Sequence, residues 1–499
     1  MHQVTKLFFI TILLCDIVFI SNASAATVNA NSCSQSDVQS AINSASPGDV
    51  VQIPNGSCTW ASPITITKGI TIRGNGYYQV DANHYDTGSW PVTLSGNGTT
   101  IFRIQNTTGK VRITGIRFSG SFCGPYNNFP CSGAIFVGGG TIARDWRVDN
   151  CKFEANGSVL LHTLSSIGLI DHCYFYDAGG NATLMMVNGD TTWGCYTSTC
   201  PPDVNAYVGM GDASWYGGNK FGTADKVYIE DSTFWHAVWG DTGAAIDAVS
   251  GGNYAIRYSY LYNSFILMHG TESGGKQRSG RAVEAYNNVF KYVSEYQSPF
   301  LLRGGEWLIF NNDATNFQTY FKLLENRAGC TEGDIHCPQS IRCDWDGDGT
   351  LTDGGYFPGK CDGTDPWDGN GDNDGDGTIE VTNAPGYPCL DQLGRGATGS
   401  LHVLSPPFGQ YQTAGVVRMW SNVAHGFNSV CAGTLQDAPY ICNGQPNYIV
   451  KNRDFYFSTD ASAALLGYTP YAYPHPLVSG GNPPDTTPPP PPSNLDIVP

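Results

Sequence analysis

Apolar and polar positions alternate along most of this chain in short runs, a period-two pattern that predicts strands and not helices. Within these runs one motif returns: an aliphatic residue, two variable residues, a small or amide residue, one more, then an apolar residue. It reads Val148-Asp-Asn-Cys151-Lys-Phe153, Ile170-Asp-His-Cys173-Tyr-Phe175, Ile229-Glu-Asp-Ser232-Thr-Phe234, Ile256-Arg-Tyr-Ser259-Tyr-Leu261, Ala285-Tyr-Asn-Asn288-Val-Phe290 and Ile309-Phe-Asn-Asn312-Asp-Ala314. Successive first residues lie 22, 59, 27, 29 and 24 positions apart. An inward pattern at such a period marks a solenoid in which each turn buries its neighbours. The pattern therefore predicts an all-β parallel β-helix of stacked coils. The interval between Ile170 and Ile229 predicts one ordinary turn plus an insertion that contains Trp193, Cys195, Cys200, Trp215 and Tyr216. Insertions in a solenoid project from one face and commonly build its binding surface.

Ahead of the repeats, the sequence predicts a short helix over Ser36–Ser44, a turn at Pro47 and Gly48, and strands at Val50–Ile53, Ile64–Ile66 and Gly69–Ile72. An amphipathic helix in that place covers the open end of the stack. The helix, the stretches PGDVVQIPNG and GITIRGNG, and the later N-x-F-type turns resemble right-handed parallel β-helix proteins of the pectin-lyase-like superfamily, over about residues 32–320. The resemblance implies a right-handed parallel β-helix with an N-terminal capping helix. It implies no single activity, because that fold hosts many functions. The stretches Arg278–Asn288, Leu302–Gly305, Tyr387–Gly396 and Tyr468–Pro476 are similar to those of secreted bacterial β-helix proteins without a settled biochemical role.

The ends of the chain add a location. Residues 1–25 hold Lys6, an apolar run from Leu7 to Ile20 interrupted by Asp16, and Ala23-Ser-Ala25, the small-x-small pattern of a signal-peptidase site. Secretion to the extracellular space is expected. The run is too short and too polar at its centre for membrane insertion. Residues 26–478 form one expected domain, and the Pro-rich residues 479–499 an extended tail. Sixteen cysteines suit an oxidising compartment. Cys123/Cys131 and Cys195/Cys200 read as local staples. Cys151 and Cys173 occupy the same place on consecutive coils, about 4.8 Å apart, and face inward whether bonded or not.

The net charge of −17 is concentrated in one place, residues 330–389, with 13 acidic residues against two basic ones. Asp344, Asp346, Asp348 and Thr350 repeat the design of Asp372, Asp374, Asp376 and Thr378. Carboxylates at positions 1, 3 and 5 of a loop, glycine at 6 and a carbonyl at 7 place hard oxygens around one cation. Asp353 and Glu380 stand near the place of the missing bidentate glutamate. The loops resemble calcium loops of dockerin or thrombospondin type-3 repeats, and five cysteines (Cys330, Cys337, Cys343, Cys361, Cys389) bracket them. Calcium is the expected cofactor of this insert, as a stabiliser of the fold.

Candidate chemistry lies just before the insert. Counting back from Asn288 and Asn312 aligns Arg278 with Arg303 on adjacent coils, with His269, Glu272, Lys276, Arg281 and Glu284 close by. Two guanidinium groups that near repel one another unless anions separate them, so they call for carboxylate partners or an anionic ligand. β-Elimination from a uronic-acid polysaccharide needs the C5 carboxylate neutralised, a base for the adjacent proton and an acid for the leaving oxygen. Arg278 or Arg303 would hold the carboxylate, and Lys276, His269 or Arg281 would be the base. An Arg or Lys on adjacent coils is similar to the arrangement in alginate lyases and chondroitinase B. The pectate-lyase arginine motif and the polygalacturonase set are absent. A structural reading competes, in which Arg278, Arg281, Glu272, Glu284 and Glu306 form an ion-pair network. A second candidate is the outward column Asp149, Asp171, Glu230 and Arg257, which reads as paired carboxylates for glycoside chemistry or as a solvated strand face.

The expected function is a secreted carbohydrate-active protein, a polysaccharide lyase of uronic-acid glycans. The alternative is a non-catalytic extracellular glycan-binding or surface-structural protein, stabilised by calcium and disulfides. The expected partner is a polysaccharide or cell-surface glycan, with no nucleic acid. The oligomeric state is not legible in the sequence.

Overall fold

The computed structural model describes residues 25–122, 133–155, 159–179, 183–189, 214, 218–238, 243–268, 279–293, 298–317, 319–324, 391–395, 416–425, 440–442 and 449–479. They form a right-handed parallel β-helix. Each coil contributes strands at three positions. Those at the first and second positions belong to a 20-stranded sheet, and those at the third to a 10-stranded sheet.

The repeat motif maps directly onto this coil. Its aliphatic residue points inward from the second strand, so that Val148, Ile170, Ile229, Ile256, Ala285 and Ile309 pair in sequence up the stack. Its final apolar residue points inward from the third strand. There the rings of Phe118, Phe153, Phe175 and Phe234 stack at centroid distances of 5.0, 4.7 and 4.6 Å. The residue that looked freely variable before the small position makes the bend. Asn150, His172, Asp231, Tyr258, Asn287 and Asn311 have φ of 48°, 50°, 48°, 54°, 57° and 53°, the left-handed region that Asn and Asp tolerate best.

The small or amide residue that follows supplies hydrogen bonds inside the bend. Ser259 N–H donates to Asn288 Oδ1 at 3.0 Å, Asn288 Nδ2 to Asn312 Oδ1 at 2.9 Å, and Asn312 Nδ2 to Asn422 Oδ1 at 3.0 Å. These bonds satisfy backbone and amide groups that no water reaches. At the start of the column Cys151 and Cys173 are buried free thiols, and burial pushes the Cys173 thiol up. Both face inward with no disulfide between them.

The helix over Gln35–Ser44 is capped by Ser34, whose Oγ accepts from Asp37 N–H, and it buries Val38, Ala41 and Ile42 on the end of the stack. A disulfide between Cys33 and Cys58 ties its approach to the first coil. The expected staples Cys123/Cys131 and Cys195/Cys200 lie outside the described residues.

Ile170 pairs directly with Ile229, so the long interval is one coil with its extra residues between strands Met185–Asn188 and Val227–Glu230. The same junction, from first strand to second, takes the intervals between Met268 and Ala282 and between Leu324 and Val417. The acidic residues 330–389 fall in the last of these. Three long intervals of the chain therefore fall at this one junction of the coil.

After its final strand, Phe455–Ser458, the chain turns back and runs along the outward face of the second strands. Tyr471, Leu477 and Val478 pack there on Leu169, Tyr228 and Ala255.

Candidate functional site: a cleft on the insertion edge

The outward column of acids corrects the sequence reading. Asp149, Asp171, Glu230 and Arg257 do sit side by side on successive coils, but all four are fully buried. The returning C-terminal segment roofs them. Arg112 Nε donates to Asp149 Oδ1 at 2.7 Å, and Arg147 grips Asp171 through two bonds of 2.8 and 2.7 Å. Arg257 donates to Glu230 Oε1 at 2.8 Å and to the carbonyls of Tyr471 and Ala472, each at 2.6 Å. The His475 N–H donates to Glu230 Oε2 at 3.1 Å.

Burial opposes ionisation of Asp171, but the Arg147 guanidinium outweighs it and holds the carboxyl well below the usual carboxylate range. Burial pushes Glu230 up to about 7 against the pull of Arg257. With their oxygens taken by guanidinium, hydroxyl, amide and backbone donors, these acids are neither a solvated face nor a glycosidase pair, and Glu230 with Arg147 and Arg257 holds the C-terminal strap down.

The open site lies instead on the insertion edge. A cleft of about 210 Å³ is lined by Arg144, Ser166, Asn188, Gly189, Lys220 and Asn253, among others. Its floor requires glycine: a Cβ on Gly189 would lie 2.4 Å from Ser214 Oγ and from the Gly251 carbonyl carbon. At the rim Arg144 Nη1 meets Asp225 Oδ1 at 2.9 Å, both side chains being about half exposed. Lys220 stands opposite with φ of 55°, a backbone conformation that costs a non-glycine residue about 1 kcal/mol or more. Its ammonium has no partner among the described residues.

The structure below explains how that strain is held. Asn219 Nδ2 donates to Glu306 Oε2 at 2.6 Å, and Lys226 Nζ donates to the Asn219 carbonyl at 2.7 Å. Lys226 faces Glu284 at 3.4 Å, and Arg281 pairs with Glu306 at 2.9 Å. Glu284 also accepts from Gly222 N–H at 3.0 Å and from the Tyr468 hydroxyl. Burial pushes the Lys226 ammonium down to about 8, although Glu284 pulls the other way.

Of the residues the sequence singled out, Arg281 is buried in this network, and so are its expected partners Glu284 and Glu306. Arg303 is partly exposed on the same edge. Arg303 lies between the strands Phe300–Leu302 and Glu306–Phe310, while its expected neighbour Arg278 falls outside the described residues. His269, Glu272, Lys276 and Arg278 lie outside the described residues. So do all ten expected calcium ligands, Asp344, Asp346, Asp348, Thr350, Asp353, Asp372, Asp374, Asp376, Thr378 and Glu380. Lys220, Ser166 and Asn253 were not foreseen. The one signal for Lys220 was its place near the end of the long interval.

The fold and the cleft define a parallel β-helix protein with an open, cation-bearing edge. No protein-family model matches the sequence, and no curated protein does. Among solved structures, the chain is similar to a PL6 family polysaccharide lyase from Pseudopedobacter saltans, at 12% identity over 92% of this chain and 90% of that one, with a TM-score of 0.35. A PL6 alginate lyase in complex with a trisaccharide is 16% identical over 81% of both chains, with a TM-score of 0.33. A Geobacillus virus E2 protein, ORF18, is 12% identical over 58% of this chain, with a TM-score of 0.33. The chain spans 57% of the length of that viral protein. None of these likenesses carries an argument about the chemistry of this chain.

Proposed function

We propose that this is an exported carbohydrate-active protein that binds an acidic polysaccharide along the insertion edge and cleaves it by β-elimination. The observation that supports the reading is the cleft, where Arg144 and Lys220 face one carboxylate, Asp225. A chain of net charge −17 repels a polyanion at long range, so a locally positive cleft is what a polyuronate requires.

In the elimination, a cation neutralises the C5 carboxylate, a base removes the C5 proton, and the C4–O bond breaks as the leaving glycosidic oxygen takes a proton from an acid, which leaves a C4–C5 double bond. Arg303, on the same edge, is the proposed carboxylate partner, with Arg278 as the other candidate and Lys276 or His269 as base. Arg281, buried against Glu306, takes a positioning role in place of the role of base. The acidic residues 330–389 are proposed to fold around calcium.

Incubation with alginate, pectate and chondroitin sulfate tests this reading. Unsaturated products, seen as rising ultraviolet absorbance, are expected on one of them, with loss of the signal in Arg303→Ala. Silence on every substrate overturns the lyase reading, and glycan binding retained in that case favours a non-catalytic extracellular role.

A further inference from the structure

We infer that Lys220 captures the carboxylate of a single hexuronate unit in the edge cleft, and that the buried network beneath its loop positions it there. This deepens the acidic-glycan reading above and rests on it.

Several observations converge. The first is charge. Among the described lining residues, Arg144 and Lys220 against Asp225 leave one uncompensated positive charge, which matches one carboxylate per sugar. Arg144 already has its partner at 2.9 Å, so Lys220 carries the free valence.

The second is the pair of polar atoms that line the cleft without partners. Ser166 Oγ and Asn253 Oδ1 are buried and make no hydrogen bond among the described residues, while Asn253 Nδ2 is turned to the Gly251 carbonyl at 3.5 Å. Buried polar atoms left unpaired are uncommon in folded proteins. Both residues line the cleft, and a hydroxyl that can donate together with an amide oxygen that can accept suits the hydroxyls of a pyranose ring, each of which both donates and accepts.

The third is size. At about 210 Å³ the cleft falls below the range of about 300–1,000 Å³ typical of sites for larger ligands, and fits one ring of a chain that continues along the edge.

The fourth is positioning. The left-handed backbone at Lys220 is held on one side by Asn219, bonded to Glu306, and on the other by Gly222, bonded to Glu284. A Cβ on Gly222 would come within 2.3 Å of the Thr469 carbonyl, so the C-terminal segment braces the same loop from outside. Preorganisation of this kind spares a binding group the cost of ordering on contact.

Calorimetric titration of the full chain tests the inference, with saturated trimannuronate and trigalacturonate as probes and the same trimers after reduction of their carboxyls as controls. One acidic trimer is expected to bind at least tenfold more tightly than its reduced form. Lys220→Gln should weaken the acidic trimer about tenfold, leave the reduced trimer unchanged and leave the melting temperature in place. Asn219→Ala keeps the cation but removes the bond to Glu306, and should weaken the acidic trimer by a smaller factor. The inference is overturned if Lys220→Gln binds like the wild type, or if neither acidic trimer is preferred over its reduced form. Binding through Lys220 without unsaturated products from any polyuronate would sustain the inference and remove the lyase reading. Products formed equally well by Lys220→Gln would do the reverse.

Discussion

Removing Arg257 tests how the C-terminal strap is held. Its guanidinium is fully buried, donates to Glu230, and bonds the carbonyls of Tyr471 and Ala472 at 2.6 Å each. An Arg257→Met variant keeps much of the side-chain volume but strands the Glu230 carboxylate and both carbonyls. Breaking a buried pair from one side costs about 3–5 kcal/mol.

The loss should depend on pH, with a sign that follows from Glu230. Its folded pKa of about 7 lies above its ordinary value of 4.5, so the folded state holds a proton that the unfolded state releases. This contribution to stability is fully present below about 4.5 and is lost as pH rises through about 7. Without Arg257 the carboxyl shifts further up and escapes the penalty by staying protonated in acid. Arg257→Met should therefore be destabilised less at pH 5 than at pH 8. The assays are denaturant melts at the two pH values and chymotryptic cleavage within Tyr468–Tyr473, which should accelerate at pH 8 in the variant. A variant within about 0.5 kcal/mol of wild type, with its strap still protected at pH 8, would refute the reasoning.

Other expectations follow from the same structure. Burial holds His162 near 4, below its usual 6.5, so stability should fall as pH drops from about 6.5 towards 4, by up to ~3 kcal/mol. His162→Gln should flatten that slope in thermal melts, and an unchanged slope would count against burial as its cause. Asn312→Ala removes an acceptor and a donor from the amide ladder and should cost ~2 kcal/mol in urea unfolding; a neutral effect would mean that water replaces the amide. Calcium chelation should lower the melting temperature if the acidic loops between Asp344 and Glu380 hold the ion, and no change would remove the expectation.

Much of the architecture was legible because a parallel coil repeats its environment. Each rung offers the same inward place above the last, so Ile170, Ile229 and Ile256 had to be aliphatic, and Phe153, Phe175 and Phe234 large and apolar. That constraint is local and periodic, and it survives in the sequence as spacing. The bend at Asn150 or Asp231 left a weaker trace, since a left-handed residue is only a preference for Asn and Asp, and His172 and Tyr258 occupy it too. Arg281 and Glu306 could be named as partners because they lie one coil apart. The Asn219 bond that turns this pair into a support for Lys220 could not, because it crosses from an irregular loop to the coil.

The sequence by itself determined the solenoid, its inward columns and the positions of its long intervals along the chain. Tertiary structure alone decided the fate of the acids at Asp149, Asp171 and Glu230. Their strand pattern reads equally well as a solvated face or a catalytic pair, because alternation records only which side of a strand a residue faces. Whether that side meets water depends on a segment more than 200 residues away, as the bond from Arg257 to Tyr471 spans 214 positions. A contact made once, without a repeat, leaves no period to read. The same physics hid Lys220, whose meaning lies in a backbone conformation fixed by Glu284, Glu306 and Thr469, three residues that only folding brings together.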